Sequence, residues 1–258
     1  MTRAVWLMAA ALPLAAQPKL LTNAKLDTRS ATASLDREFR ALLAAQPQPA
    51  WIGYTVAADR ASSLGCEGFS GVVHLEPPDQ ALILFRVEAN AVTRIRTIAP
   101  DCAIDAGGVP VHWLSDVKPA ESVTLLATFV RQPGPADNGA LRAVATHAGP
   151  EALDLLISIA RTDKDSRMRM QAVSALGRTS GPKAASAIRD AIEKDPDAQV
   201  KRRAVATLQS LPDGEGIPLL IELVKTARDA EVRKQAMGLL GQSRDTRALA
   251  FFEDVLKR

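Results

Sequence analysis

The chain has 258 residues, 47% of them hydrophobic and 24% charged, enough apolar material to bury a core and too much for a disordered polymer. Its 32 basic and 29 acidic residues leave a net charge of only +3, so the pI near 9.0 reflects a small excess and does not imply nucleic acid as a partner. Aromatics make up 4%, which leaves few platforms for stacking bases and points to a core of Ala, Leu, Val and Ile, a composition that favours helix.

The opening MTRAVWLMAAALPLAAQPKL places one cation, Arg3, before an apolar run over 4–16, followed by polar Gln17 and Pro18. That is the form of a secretory signal, and the run is too short to span a bilayer comfortably. Residues 1–16 are therefore expected to be a signal peptide cut near Ala16 or Gln17, with a buried N-terminal helix as the plainer alternative. No cysteine lies near the junction to carry a lipid, and no later stretch reads as a membrane span. The mature chain is expected to be periplasmic or secreted. An even cysteine count in an exported chain makes pairing of Cys66 with Cys102 the expectation, and closing that loop would contribute about 3 to 4 kcal/mol in the chain-entropy model.

Residues 17–50 read as a linker and a short helix. Within SLDREFRALLAAQ (34–46), Leu35, Phe39, Leu42 and Leu43 fall on one helical face and Ser34 can cap the start. The prolines of QPQP (46–49) then end the helix. From Trp51 to about Trp113 the period becomes two, in WIGYTVA, GVVHLE, ALILFRVE and AVTRIRTIA, which predicts a small β-rich module. The clearest hairpin turns around Ala89 and Asn90, and the uneven spacing of Val92, Ile95 and Ile98 requires room for a bulge in its second strand. KPAESVTLLATFV restores helical spacing with Pro119 at the first position, so the module is drawn as 51–131 with a closing helix. RQPGPADNG (131–139) reads as a connector.

Beyond it the sequence repeats. Met168, Val200 and Val232 stand 32 residues apart, and the same register aligns Asp165, Asp197 and Asp229; Arg169, Lys201 and Arg233; Ala172, Ala204 and Ala236; and Leu176, Leu208 and Leu240. The intervening segments align as well, in the rows Leu153, Ala185, Ile217, Leu249; Leu156, Ile188, Leu220, Phe252; and Ile159, Ala191, Leu223, Val255. Each unit is two helices, which bury their apolar stripes only by stacking on neighbours. Ala136, Ala140 and Val144 fit a worn copy of the second helix. Asp at the head of each second helix suits an N-cap, and the cation four residues on predicts an acid and base ladder along the stack.

The pattern D-x-x-[MV]-[RK]-x-x-A-x-x-x-L resembles HEAT repeats, in particular the short bacterial kind called phycobilisome-lyase-like, over residues 136–258. The whole layout resembles an exported bacterial HEAT-repeat protein of uncharacterised role. The fold class expected is α+β, a small β-rich N-terminal module followed by a C-terminal α-solenoid of HEAT-like hairpins. What the resemblance implies is an interaction surface, a non-catalytic scaffold whose partner is another protein. In HEAT stacks the second helices usually line the concave side, so the resemblance places Met170, Arg202 and Lys234, with Gln171, Arg203 and Gln235 beside them, on a mildly basic binding strip. A solvated charged face is the plainer reading of the same residues. Gln209 and Ser210 replace the glycine that ends the other copies, Gly177 and Gly241, so the middle turn is expected to differ.

Other chemistry finds less support. Cys66 with His74 and Cys102 with His112 are two cysteine and histidine pairs at spacings wider than a zinc finger, and export favours the disulfide. His147 follows a helical segment and reads as a terminal polar residue. GFSG (68–71) fails as a nucleophile elbow because Val72 stands where the final glycine belongs. Asp101, Asp105 and Asp116 read as turn formers rather than an acid and base pair. No catalytic residue, metal or cofactor is assigned. The rivals are a lyase-like enzyme acting on a chromophore or small molecule, suggested by the family name, and a metal-binding module. Phe251, Phe252, Val255 and Leu256 form an apolar end with no second helix to cover it, which invites a homodimer through the C-terminal helix.

Overall fold

The computed structural model describes residues 21–59, 64–66, 78–132, 134, 136–179 and 181–257. The expected signal peptide, His74 and the GFSG stretch lie outside the described residues. The N-terminal part is a sheet with helices on one face, and the C-terminal part is a stack of helical hairpins.

The segment expected to be a linker carries two strands, β1 (Leu21–Thr22) and β2 (Lys25–Ser30), before helix α1 (Leu35–Ala44). Strands β3 (Ala50–Ala57), β4 (Gln80–Glu88), β5 (Ala91–Ile98), β6 (Ile104–Asp105) and β7 (Pro110–Ser115) follow. Five of these pair in the order β2-β7-β3-β4-β5, parallel from β2 to β3 and antiparallel from β3 to β5, while β1 pairs with β6 alone. The β4–β5 hairpin turns on Ala89 and Asn90, both at positive φ, 51° and 60°. The bulge falls in its second strand, where Arg86 faces Arg94 but Val87 faces Val92, so Thr93 is the extra residue. Asn90 also donates its side-chain amide to the carbonyls of Leu43 and Ala44, satisfying the last turn of α1.

Both faces of the sheet are covered. Ile52, Tyr54, Val56, Ile83, Phe85 and Val87 join the helix-side core, where Phe39 meets Phe85 edge-on with centroids 4.8 Å apart. On the other face Leu82, Leu84, Ile98, Cys102 and Trp113 form a second, smaller core. Gly53 is required there, because a Cβ would stand 2.7 Å from both Leu84 and the Trp113 ring. Cys66 and Cys102 form a disulfide, Cα atoms 5.4 Å apart, that ties residues 64–66 to this core.

Helix α2 (Pro119–Val130) packs against α3 (Asp137–Val144), and that pair leads the hairpins α4 (Pro150–Thr162) with α5 (Ser166–Leu176), α6 (Pro182–Lys194) with α7 (Ala198–Leu208), and α8 (Gly216–Thr226) with α9 (Ala230–Gln242). Helix α10 (Thr246–Leu256) packs on α8. The repeat rows are the core: Met168, Val200 and Val232, the three alanines, and Leu176, Leu208 and Leu240 are all buried. So is the worn copy, Ala136, Ala140 and Val144. Asp165, Asp197 and Asp229 each cap their helix by accepting the amide two residues on, at 2.7 to 2.8 Å. The middle copy does depart from the others, through a 3-10 turn at Pro212–Gly214 with Asp213 at φ 53°. In α10 the register slips: Leu249 and Val255 are exposed, while Ala248 and Phe251 turn inward.

The stack is welded to the sheet. Helix α3 lies on β5, with Gly139 set against the carbonyl of Ile95 where any side chain would collide. His147 is 4% exposed and bridges Ala58, correcting its reading as a terminal polar residue. Its Nδ1–H donates to the Ala143 carbonyl at 2.7 Å, which leaves Nε2 to accept from the Ser122 hydroxyl at 2.8 Å, which in turn accepts from Tyr54 at 2.8 Å. Burial holds the His147 pKa below its ordinary value against the Ala143 carbonyl, and holds that of Tyr54 above its own against Ser122. A single apolar cluster runs from Ala31 to Phe251.

Candidate binding face

The helical part presents the outward faces of α5, α7 and α9 side by side. On α7, Val200, Ala204, Val205 and Leu208 point inward, which turns Arg202 and Arg203 out into solvent. Lys234 is exposed in the same way on α9, and Met170, Gln171 and Gln235 are half-buried. These six residues divide by role. The glutamines stitch neighbouring second helices together: Gln171 donates to Asn138 Oδ1 on α3 at 2.8 Å, and Gln235 donates to the Arg202 carbonyl on α7 at 2.9 Å. Met170 packs on the core. Only Arg202, Arg203 and Lys234 are free to meet a partner, and among the described residues no carboxylate pairs with them.

Two further cations belong to this face and escaped sequence reasoning. A cleft of about 400 Å³ crosses α3, α5 and α7, lined by Arg142, Arg178 and Arg203 with Asn138, Gln171 and Ser174, and among the described residues no carboxylate lines it. Arg142 sits in the worn copy, where the repeat is too faint to assign a face, and Arg178 lies just past the helix end. The row of small residues, Ser174, Ala206 and Gly238, runs alongside; Ser174 is part of the cleft wall.

The expected acid and base ladder is not built within the helices. Arg169 passes over Asp165 and reaches the next hairpin, where Nε and Nη2 grip both oxygens of Asp195 at 2.8 and 2.9 Å while Nη1 donates to the Asp163 carbonyl. Both side chains are nearly sealed, at 9% and 4% exposure. Burial pushes the Asp195 carboxyl up, but the Arg169 guanidinium and the Asp197 amide outweigh it and hold its pKa below the ordinary value. Asp165 pairs instead with Arg167.

The other candidates separate in space. The disulfide occupies both sulfurs that a metal reading would need as thiolates. His112 receives the Gln46 amide at one nitrogen, 2.7 Å, and faces Asp27 with the other, 3.3 Å. Asp105 accepts from the Gly107 amide and Asn23, and Asp116 from the hydroxyls of Ser30 and Ser115, so these are turn carboxylates far from any common site. Among the described residues no cluster of His, Cys, Asp and Glu could hold a metal ion, and no helix is long and apolar enough to cross a membrane.

Comparison with known families agrees with this geometry: residues 132–209 and 186–258 match a family model of HEAT repeats. The C-terminal series of helices thus matches HEAT repeats. No curated protein matches the chain. HEAT repeats are generally protein-interaction scaffolds and typically not enzymes, which is compatible with a non-catalytic scaffold.

Proposed function

We propose that this protein is an exported, non-catalytic scaffold that holds the acidic surface of another protein against the second-helix face of its HEAT array. The observation that carries this reading is the series Arg142, Arg178, Arg202, Arg203 and Lys234, five cations standing on one face, with no carboxylate among the described residues paired to them. Cations without an internal partner keep their full field for steering an oppositely charged surface into place. Export is supported by the signal-like run over 4–16 together with the disulfide, which persists in oxidising compartments. Tagged protein carrying R202E and K234E should fold as the parent does, because both side chains are exposed, yet lose the protein captured by the parent from the native envelope. Equal capture by the two would discard the face as the binding surface.

A second reading, self-assembly, draws on Leu249, Val255 and Leu256 of α10, apolar side chains exposed at 61%, 46% and 86%. Sedimentation equilibrium of parent and L256E decides it: a dimer that the substitution converts to monomer supports the reading, and a parent that is monomeric discards it.

A further inference from the structure

The joints between hairpins are not alike. At the joint between α4–α5 and α6–α7, the buried Arg169 guanidinium fills the inter-hairpin space and is met by Asp195. One repeat later the register puts Lys201 in the place of Arg169 and Ala227 in the place of Asp195. The clasp is lost on both sides: the cation is shorter, and its carboxylate is gone. In its place is a cleft of about 430 Å³ between α6–α7 and α8–α9, with Lys201 and Ala227 in its wall. Among the described residues the Lys201 ammonium makes one long bond, to the Glu193 carbonyl at 3.5 Å, which leaves donors over.

The other charges of the cleft are largely committed. Arg189 and Glu222 pair across the joint at 3.1 Å. Asp229 accepts the Glu231 amide as a helix cap at 2.8 Å. Arg228 and Glu193 are exposed. Ile192, Leu208, Leu223 and Val232 supply an apolar floor. The first joint thus displays, within the same chain, the group that such a space is shaped to take.

We propose that this cleft binds an aspartate or glutamate side chain of a partner protein, seated on Lys201 where Asp195 sits on Arg169. The site is separate from the cationic face of the second helices, and it rests on the scaffold reading only for the partner's being a protein. The probe is a fluorescent peptide of sequence EKDPDAQ, the chain's own 193–199, which delivers Asp195 to Arg169. The parent protein should bind it, and a peptide with asparagine for its first aspartate should bind roughly tenfold more weakly, the weight of one charge-assisted hydrogen bond. A227D, which supplies the carboxylate internally, should lose binding while its thermal midpoint stays at or above the parent's, and K201M should lose binding too. R202E with K234E tests the second-helix face separately. Absence of binding to the parent, equal binding of the two peptides, or undiminished binding by A227D would overturn the proposal. Loss confined to R202E with K234E would also overturn it, and would assign the peptide to the second-helix face.

Discussion

The sheet and the helical stack bury similar amounts of chain by opposite means. The sheet relies on a few large side chains whose neighbours come from distant parts of the sequence: Phe85 touches Phe39 of α1, Tyr54 of β3 and Phe129 of α2. The stack relies on many small contacts between consecutive hairpins, rows of Ala, Val, Ile and Leu that repeat every 32 residues. A fold of the first kind gives way as one unit, whereas one of the second kind can open hairpin by hairpin. Tyr54, Ser122 and His147 stand where the two constructions meet.

The sharpest way to break this contrast is F85A. Removing a fully buried ring that makes several aromatic contacts should cost about 3 to 5 kcal/mol, and hydrogen exchange should rise across α1, β3, β4 and α2 together. Exchange that rose only within β4 would deny the sheet its unity. D195A attacks the stack at its buried clasp; it leaves the Arg169 charge buried without its carboxylate, and about 3 to 5 kcal/mol should be lost from urea unfolding. That loss is tied to acid as well. Because the Asp195 pKa is lowered on folding, its contribution is present above about pH 4 and disappears as the pH falls through the depressed value.

L208A should cost about 2 to 5 kcal/mol, since Leu208 is 2% exposed at the middle of the stack. Here exchange should quicken in α7 to α10 and leave the sheet protected; a change below half of the smaller figure would remove the 32-residue register. The smallest effect is at the weld. His147 is kept neutral by burial, whereas the unfolded chain takes up a proton near pH 6.5, so the unfolded state binds more protons as the pH drops below that point and stability must fall. Urea midpoints at pH 7.5 and 5.5 should separate in the parent, and that separation should narrow in H147Q even though the variant is less stable at both.

The same contrast explains what the sequence disclosed. A repeat declares itself, because each copy states the register again, and so the hairpins, the caps of their second helices and the buried rows as far as α9 were readable, while in α10 the register slips. The sheet was readable only where pairing is local, as in the β4–β5 hairpin. Strand β2, KLDTRS, is exposed at every position and has no alternation to reveal it; what makes it a strand is parallel pairing with β7, some 85 residues away. The outward placement of Arg202, Arg203 and Lys234 was legible, because the register turns them into solvent. Gln171 and Gln235 look the same in sequence but spend their side chains on adjacent helices. Arg169 was misjudged because spacing of four on one helix suggests a local ion pair, whereas a partner one hairpin onward satisfies it better. The row containing Asp163 and Asp195 was the available signal.

Helix α2 serves two masters: its inner side lies over the aromatic ring cluster, through Phe129, while it also pairs with α3 as the leading hairpin of the stack. Scissors placed in the proline-rich stretch just after it would hand the downstream fragment an α3 stripped of its cover, and recombinant pieces cut there should clump. Begun before Pro119 and paired with nothing upstream, the same fragment would instead expose Phe129. The practical unit for expression, labelling or crystallisation is therefore the sheet and the stack together.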